Sequence, residues 1–243
     1  MRRFRRTLFY LLLTGFLLLG GLLLYGYARS HPEDLPWTPL DLSQPVGSFT
    51  GRKLVGLVDE GERCQALLDR AGINFLALPE RRGGAQCGYS HAVRFTGGGA
   101  QQIDYHPVGL GTNCAVAAAL ALWEWHVVQP AAAEHFGRPV ETIEHFGSYS
   151  CRRLYGRDEG DWSEHATANA IDVAGFTLTD GTRIRVAAHW DEGGARGAFL
   201  REVRGGACDL FATVLSPDYN QAHHDHLHLD QADRGRLGWR ACR

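Results

Sequence analysis

Hydrophobic residues follow three different rhythms along this chain. From Thr7 to Ala28 they form an unbroken apolar or small run, which predicts one helix covering about 30 Å, the thickness of a hydrocarbon core. Arg2, Arg3, Arg5 and Arg6 precede the run and Arg29 alone follows closely, so the charge bias leaves the N-terminus in the cytoplasm and the rest exported. A cleaved signal peptide is the rival reading, but the run is long for one and "YGYARS" holds no small-x-small cleavage site. The next stretch, "SHPEDLPWTPLDLSQPV", carries four of the nine prolines and no periodicity. It reads as an extended linker of roughly 50 Å that holds the domain away from the bilayer.

Beyond it the pattern alternates between helix and strand periods. "RCQALLDRAGINFLALPE" predicts a short helix and a strand, and "AVRF" and "QQIDYHPVGL" predict further strands. "TNCAVAAALALWEWHVVQPAAAEHFG" predicts a nearly fully buried helix with a Thr or Asn cap, ending at Pro130, with Trp123, Trp125 and His126 as core and helix-end residues. "VETIEHFGSYSCRRLYG" reads as strand and loop, and "AIDVAGFTLTDGTRIRV" as a hairpin about Asp180-Gly181. Phe199, Leu200, Val203, Leu210, Phe211, Val214 and Leu215 keep helical spacing up to Pro217. "HLHLD" alternates as a strand, with His226, His228 and Asp230 on one face and Leu227 and Leu229 on the other. The expected fold is α+β: a small antiparallel sheet flanked by helices, behind an N-terminal transmembrane helix. It divides into an anchor (1–28), a Pro-rich linker (29–50), a small α+β lead-in (51–111) and a main domain (112–243), with one core expected.

Charge and cysteine content narrow the setting. The net charge of −2 falls to −6 once the four N-terminal arginines are set aside, which argues against nucleic acid as a partner. All six cysteines lie in the exported part without a CxxC pair, as expected of three disulfides in an oxidising compartment. Sequential pairing, Cys64 with Cys87, Cys114 with Cys151 and Cys208 with Cys242, closes the shortest loops.

The candidate chemistry lies in "SEHATANAID" and "HHDHLHLD". A catalytic zinc site takes three protein ligands and keeps a fourth place open. His165, Asp172 and one histidine of the last strand would supply the three, leaving a neighbouring His or carboxylate to handle protons. A His-x-His strand alone is as often a solvated polar face; the upstream cluster is what makes a metal site the better reading. His189-Trp190-Asp191 reads as packed structure, and His91, His106, His135 and His145 stand isolated. The chain has no Gly-x-Ser-x-Gly, phosphate-loop or dinucleotide signature.

These residues also carry a resemblance. Ser-x-His-x6-Asp followed by His-x-His resembles the superfamily of lysostaphin-type endopeptidases, D-Ala-D-Ala peptidases and hedgehog-type zinc domains. "SYSCR", "SEHATANAID", "AFLR" and "PDYNQAHHDHLHLD" resemble, more narrowly, the extensin-like C-terminal domain family, from about Cys64 to Cys242. The resemblance implies that His165, Asp172 and His228 hold Zn2+. It places His226 at the position of a catalytic histidine, His223 at that of a further histidine, and Asp225 where related enzymes keep a general-base glutamate. Either His226 or Asp225 would be the base; strand alternation favours His226. Arg152 takes the place of an arginine that holds a substrate carboxylate or the developing oxyanion, with a structural salt bridge as its alternative; in the mechanism implied, the metal with Arg152 or His223 would stabilise that oxyanion. Ala168 stands where the superfamily usually has Gly. The activity implied is zinc-dependent hydrolysis of peptidoglycan cross-links or stem peptides by a periplasmic domain on a single inner-membrane helix. The alternative is a non-catalytic, zinc-stabilised wall-binding or scaffold module.

Overall fold

In the computed structural model, which describes residues 2–235 and 239–243, α1 (Arg2–Ser30) is one apolar helix with no buried residue, long enough to cross a membrane. The proline-rich segment after it is not extended. Tyr27 Oη donates to Asp34 Oδ2 at 2.7 Å, Asp34 Oδ1 accepts from Ser48 N at 2.8 Å, and Lys53 Nζ donates to Thr38 Oγ1 at 2.9 Å. Leu40 and Leu42 enter the core at 7% and 2% exposure. The prolines space these anchor points without periodicity, so burial of two leucines and a few polar bonds, rather than a repeat, folds the stretch into a collar.

From the collar the chain enters α2 (Thr50–Val55) and α3 (Gly61–Arg70), then the strands β1 (Ile73–Ala77), β2 (Arg81–Arg82), β3 (Gly88–Tyr89), β4 (Ala92–Gly99), β5 (Asp104–His106) and β6 (Thr112–Asn113). Asn113 caps α4 (Cys114–Trp123) by accepting from Ala115 N at 2.9 Å, and every residue of α4 is buried. The helix does not stop at Pro130. A π-helical turn, Glu124–Val128, precedes α5 (Gln129–Phe136), where Pro130 occupies the first turn and its missing N–H costs nothing.

After β7 (Val140–Gly147), the β8 (Ala170–Leu178) and β9 (Arg183–Arg185) pair forms the hairpin about Asp180-Gly181. Next come α6 (Val186–His189), α7 (Ala195–Leu210), β10 (Thr213–Leu215), β11 (Leu227–Asp230) and β12 (Ala241–Cys242). α7 ends at Leu210, earlier than the apolar spacing predicts, because Val214 pairs with Leu229 as strand. Its apolar side faces the same core in either state, so periodicity does not separate the two.

The main sheet runs β12-β10-β11-β8-β7-β5, with β9 continuing the pairing along the second half of β8. It is larger than the small antiparallel sheet expected, and mixed: β5 with β7 and β10 with β12 are parallel. β1, β4 and β6 form a second sheet. One hydrophobic cluster extends from Leu40 to Leu229, with Trp123, Phe176 and Phe199 at its centre, Phe176 lying 5.8 Å and 5.1 Å from the other two rings.

The disulfides are Cys64–Cys114, Cys87–Cys151 and Cys208–Cys242. Only the third follows the sequential pairing. Closing short loops is the wrong criterion here, because α3 packs on α4 and the β2–β3 hairpin lies against the loop after β7, which brings the other cysteines together across the lead-in boundary.

Candidate metal centre

Two paired strands build the base of the site. Asp172 on β8 and His228 on β11 are direct cross-strand partners, while the flanking pairs Leu227–Val173 and Leu229–Ile171 point into the core. The alternation of HLHLD thus places His228 on the face opposite the helices. His165 reaches the same point from a 3-10 turn, Glu164–Thr167, capped by Ser163. That turn ends at Ala168, whose backbone is left-handed (φ 54°) and whose carbonyl accepts from Asn113 N, Thr112 Oγ1 and Ser148 Oγ at 2.8, 3.0 and 3.2 Å. The position suits Gly conformationally, and three hydrogen bonds hold Ala there.

His165 Nε2, Asp172 Oδ1 and His228 Nδ1 converge, at 3.1 Å (165 to 172), 2.9 Å (228 to 172) and 3.2 Å (165 to 228). These three residues could hold a metal ion. Ligands about 2.0–2.1 Å from a tetrahedral zinc would be about 3.3 Å apart, so the trio is already near the required spacing. The outward ring nitrogens are committed elsewhere. His165 Nδ1 donates to Ser148 O at 2.6 Å, and His228 Nε2 donates to Asp230 Oδ2 at 3.1 Å. Each bond places the ring proton on the far nitrogen and turns a lone pair inward, the arrangement that metal-binding histidines use. Asp230 is itself held by Ala232 N at 3.0 Å and is 4% exposed.

Electrostatics point the same way. Burial favours a neutral Asp172, yet the ring nitrogens of His165 and His228 outweigh it and hold the carboxyl far below the usual range. Burial likewise opposes charge on His228, but its bonds to Asp172 and Asp230 push its pKa up to about 9. The centre of this trio demands positive charge, and in metal-free protein a proton on His228 meets that demand.

His226 lies just before β11, 12% exposed at its side chain, with Nε2 3.4 Å from Asp172 Oδ1. Its Nδ1 donates to Asp225 Oδ1 at 2.8 Å. The two candidate bases are therefore not competitors: Asp225 orients His226, whose free nitrogen faces the trio. The ring of His223, buried, packs at an angle against those of His226 and His228, 5.2 Å and 5.9 Å away. Burial, then the charges of His228 and His226, hold its pKa down to about 4. Arg152 stands at the rim, 42% exposed, with Nη2 4.0 Å from Asp172 Oδ2. It is neither buried nor tightly paired, and the Cys87–Cys151 disulfide fixes the backbone beside it.

The remaining histidines lie outside this cluster. His189 Nδ1 accepts from Arg185 N at 2.8 Å and Trp190 Nε1 donates to Asp218 at 2.8 Å, both packing roles. His135 pairs with Glu202 at 2.7 Å, and His145 donates to Pro107 O at 2.9 Å. Sequence reasoning assigned no role to Asp230, Ser148 or Asn220. Asp230 was legible, two residues after His228 on one strand face; a carbonyl such as that of Ser148 leaves no sequence signal.

A protein-family model described as "Extensin-like protein C-terminus" matches residues 62–243. No curated protein and no solved structure matches the chain.

Proposed function

Because the chain belongs to the extensin-like protein C-terminus family, and its matched region contains every residue of the trio, we propose that it is a zinc-dependent peptidase acting on the peptides of peptidoglycan. The observation that carries this reading is the union of a candidate three-ligand trio, whose two rings are both hydrogen-bonded through their outer nitrogens, with an Asp225–His226 dyad facing it. A purely structural zinc site has no use for an imidazole oriented by a carboxylate beside it. This reading takes the site into the lysostaphin and D-Ala-D-Ala peptidase superfamily.

His165, Asp172 and His228 would hold the zinc. Bound there, zinc supplies a water whose pKa drops from about 15.7 to about 7 and a Lewis acid for the carbonyl. His226 Nε2 takes the water's proton and returns it to the leaving amine. Asp225 holds the imidazole in the required tautomer and stabilises the imidazolium that forms. Arg152 donates to the developing oxyanion or to a substrate carboxylate.

The setting supports an amide polymer outside the cell membrane. α1 is a single pass with its N-terminus cytoplasmic, and three disulfides belong to an oxidising periplasm. The test is full-chain protein incubated with purified sacculi, zinc-loaded, chelated and as His228→Ala, with released muropeptides read by mass spectrometry. Zinc-dependent loss of one class of cross-link is expected. Retained sacculus binding and tight zinc without cleavage would move the assignment to a wall-binding module.

A further inference from the structure

We infer that Asn220 is a positioning residue that fixes the tautomer of His223, so that His223 Nε2 accepts a hydrogen bond from the N–H of the scissile amide; the substrate half of this inference rests on the peptidase reading. The orientation of the Asn220 amide is settled by its neighbours. Oδ1 accepts from Ala222 N at 3.0 Å, and Nδ2 donates to Tyr155 Oη at 3.2 Å. The same Oδ1 lies 2.8 Å from His223 Nδ1. An acceptor at that distance requires the proton on Nδ1, and a neutral imidazole has only one. Nε2 is therefore a bare lone pair.

This removes His223 as one of the two side chains that could assist the metal at the oxyanion. A nitrogen without a proton cannot donate to an oxyanion, which leaves that task to Arg152. What a lone pair in this cleft can meet is an N–H. The His223 ring packs at an angle against those of His226 and His228, beside the dyad and the trio, so the N–H assigned to it is that of the bond being cut. An N–H held on the His223 side turns the nitrogen's developing lone pair toward His226, the group that must protonate it.

Tyr155 braces this arrangement from a loop that no strand carries. Its backbone is left-handed (φ 58°), uncommon for an aromatic residue, and the loop is closed by the Arg153–Trp162 bridge and by Leu154 N donating to Asp161 O at 3.0 Å. The rings of Tyr155 and Tyr219 lie 6.5 and 5.6 Å from that of His223 and wall its outer side.

The test uses zinc-loaded full chain in detergent micelles, labelled with nitrogen-15 at histidine. Two-bond proton–nitrogen correlations separate the tautomers, with the His223 signals assigned from a His223→Gln variant. An Nδ1–H pattern is expected in the wild type, in Asn220→Asp, which keeps an acceptor, and in Tyr155→Phe. Asn220→Ala should lose it. A peptide and its ester analogue at the scissile bond supply the second readout. The ratio of their kcat/KM values should fall about tenfold in Asn220→Ala, the worth of one hydrogen bond, and be retained in Asn220→Asp. An Nε2–H pattern in the wild type, or an unchanged ratio in Asn220→Ala, would overturn the inference. Failure of every form to cut either substrate would sink the peptidase reading and the acceptor role with it, while the spectra decide the part played by Asn220 separately.

Discussion

The raised pKa of His228 makes a quantitative prediction about the metal-free protein. Its ring gains a second proton more readily in the folded state, where Asp172 and Asp230 receive it, than in the unfolded chain; the folded value is about 9 against an ordinary 6.5. Below pH 6.5 both states are protonated and the stabilisation is fully present; it is lost as pH rises through 9. A difference of about 2.5 units at 1.36 kcal/mol each amounts to about 3 kcal/mol. For a domain of this size that corresponds to a fall in Tm of about 6–12 °C. Burial lowers His126 and His145 and raises Tyr105 well above its ordinary value. A zinc ion held by the trio would take the proton's place, so loaded protein should show no alkaline loss. The assay is thermal unfolding of the full chain in detergent from pH 6.5 to 9, with and without chelator, beside His228→Gln. A flat profile in chelated wild type, or the same slope in His228→Gln, would refute the reasoning.

Three further outcomes follow from the same geometry. Asp230→Asn replaces two acceptors, for His228 Nε2 and for Ala232 N, with one acceptor and one donor. Zinc affinity, measured by competition with a chromogenic chelator, should fall 10–100-fold, and an affinity within twofold of wild type would exclude Asp230 as a support for the ligand. Asp225→Asn should leave zinc affinity intact while lowering kcat on a murein peptide by at least 100-fold, because a neutral amide no longer stabilises the imidazolium that forms on His226. Ala168→Gly should raise stability in chemical denaturation by about 1 kcal/mol, since it relieves a left-handed Ala; destabilisation by that amount would show that the Ala168 methyl packs better than its backbone strains.

The candidate trio is legible in the sequence because its two strand residues lie in segments that obey a period of two. HLHLD fixes which residues share a face before any partner strand is known, and Asp172 opens a hairpin marked by Asp180-Gly181. His165 sits on a 3-10 turn with no periodicity, and there the upstream His/Asp cluster and the family resemblance, not alternation, carry the assignment. The Asp225–His226 relation is invisible to alternation. Adjacent strand residues point apart, and this pair meets because β11 begins one residue later, at Leu227. The collar fails for a related reason. Proline richness reports only that no regular element forms, and says nothing of whether isolated leucines such as Leu40 and Leu42 find a core.

The rest of the site depends on covalent bonds where the sheet gives no support. Asp172 and His228 are held by a strand ladder, whose register cannot slip without turning both to the core face. Arg152 has no strand of its own. It follows Cys151, which is tied across 64 residues to Cys87 in the turn of the β2–β3 hairpin, and Tyr149 nearby lies under Arg81 at 4.2 Å. Cys64–Cys114 does the same for the start of α4, whose capping residue Asn113 and neighbour Thr112 pin Ala168 and hence the His165 turn. Two of the three cross-links thus border loops that present site residues, rather than elements that a core would hold. An oxidising compartment is on this account a condition for assembling the rim of the site and not only for the stability of the domain, whereas the two strand ligands are placed by hydrogen bonding and burial alone.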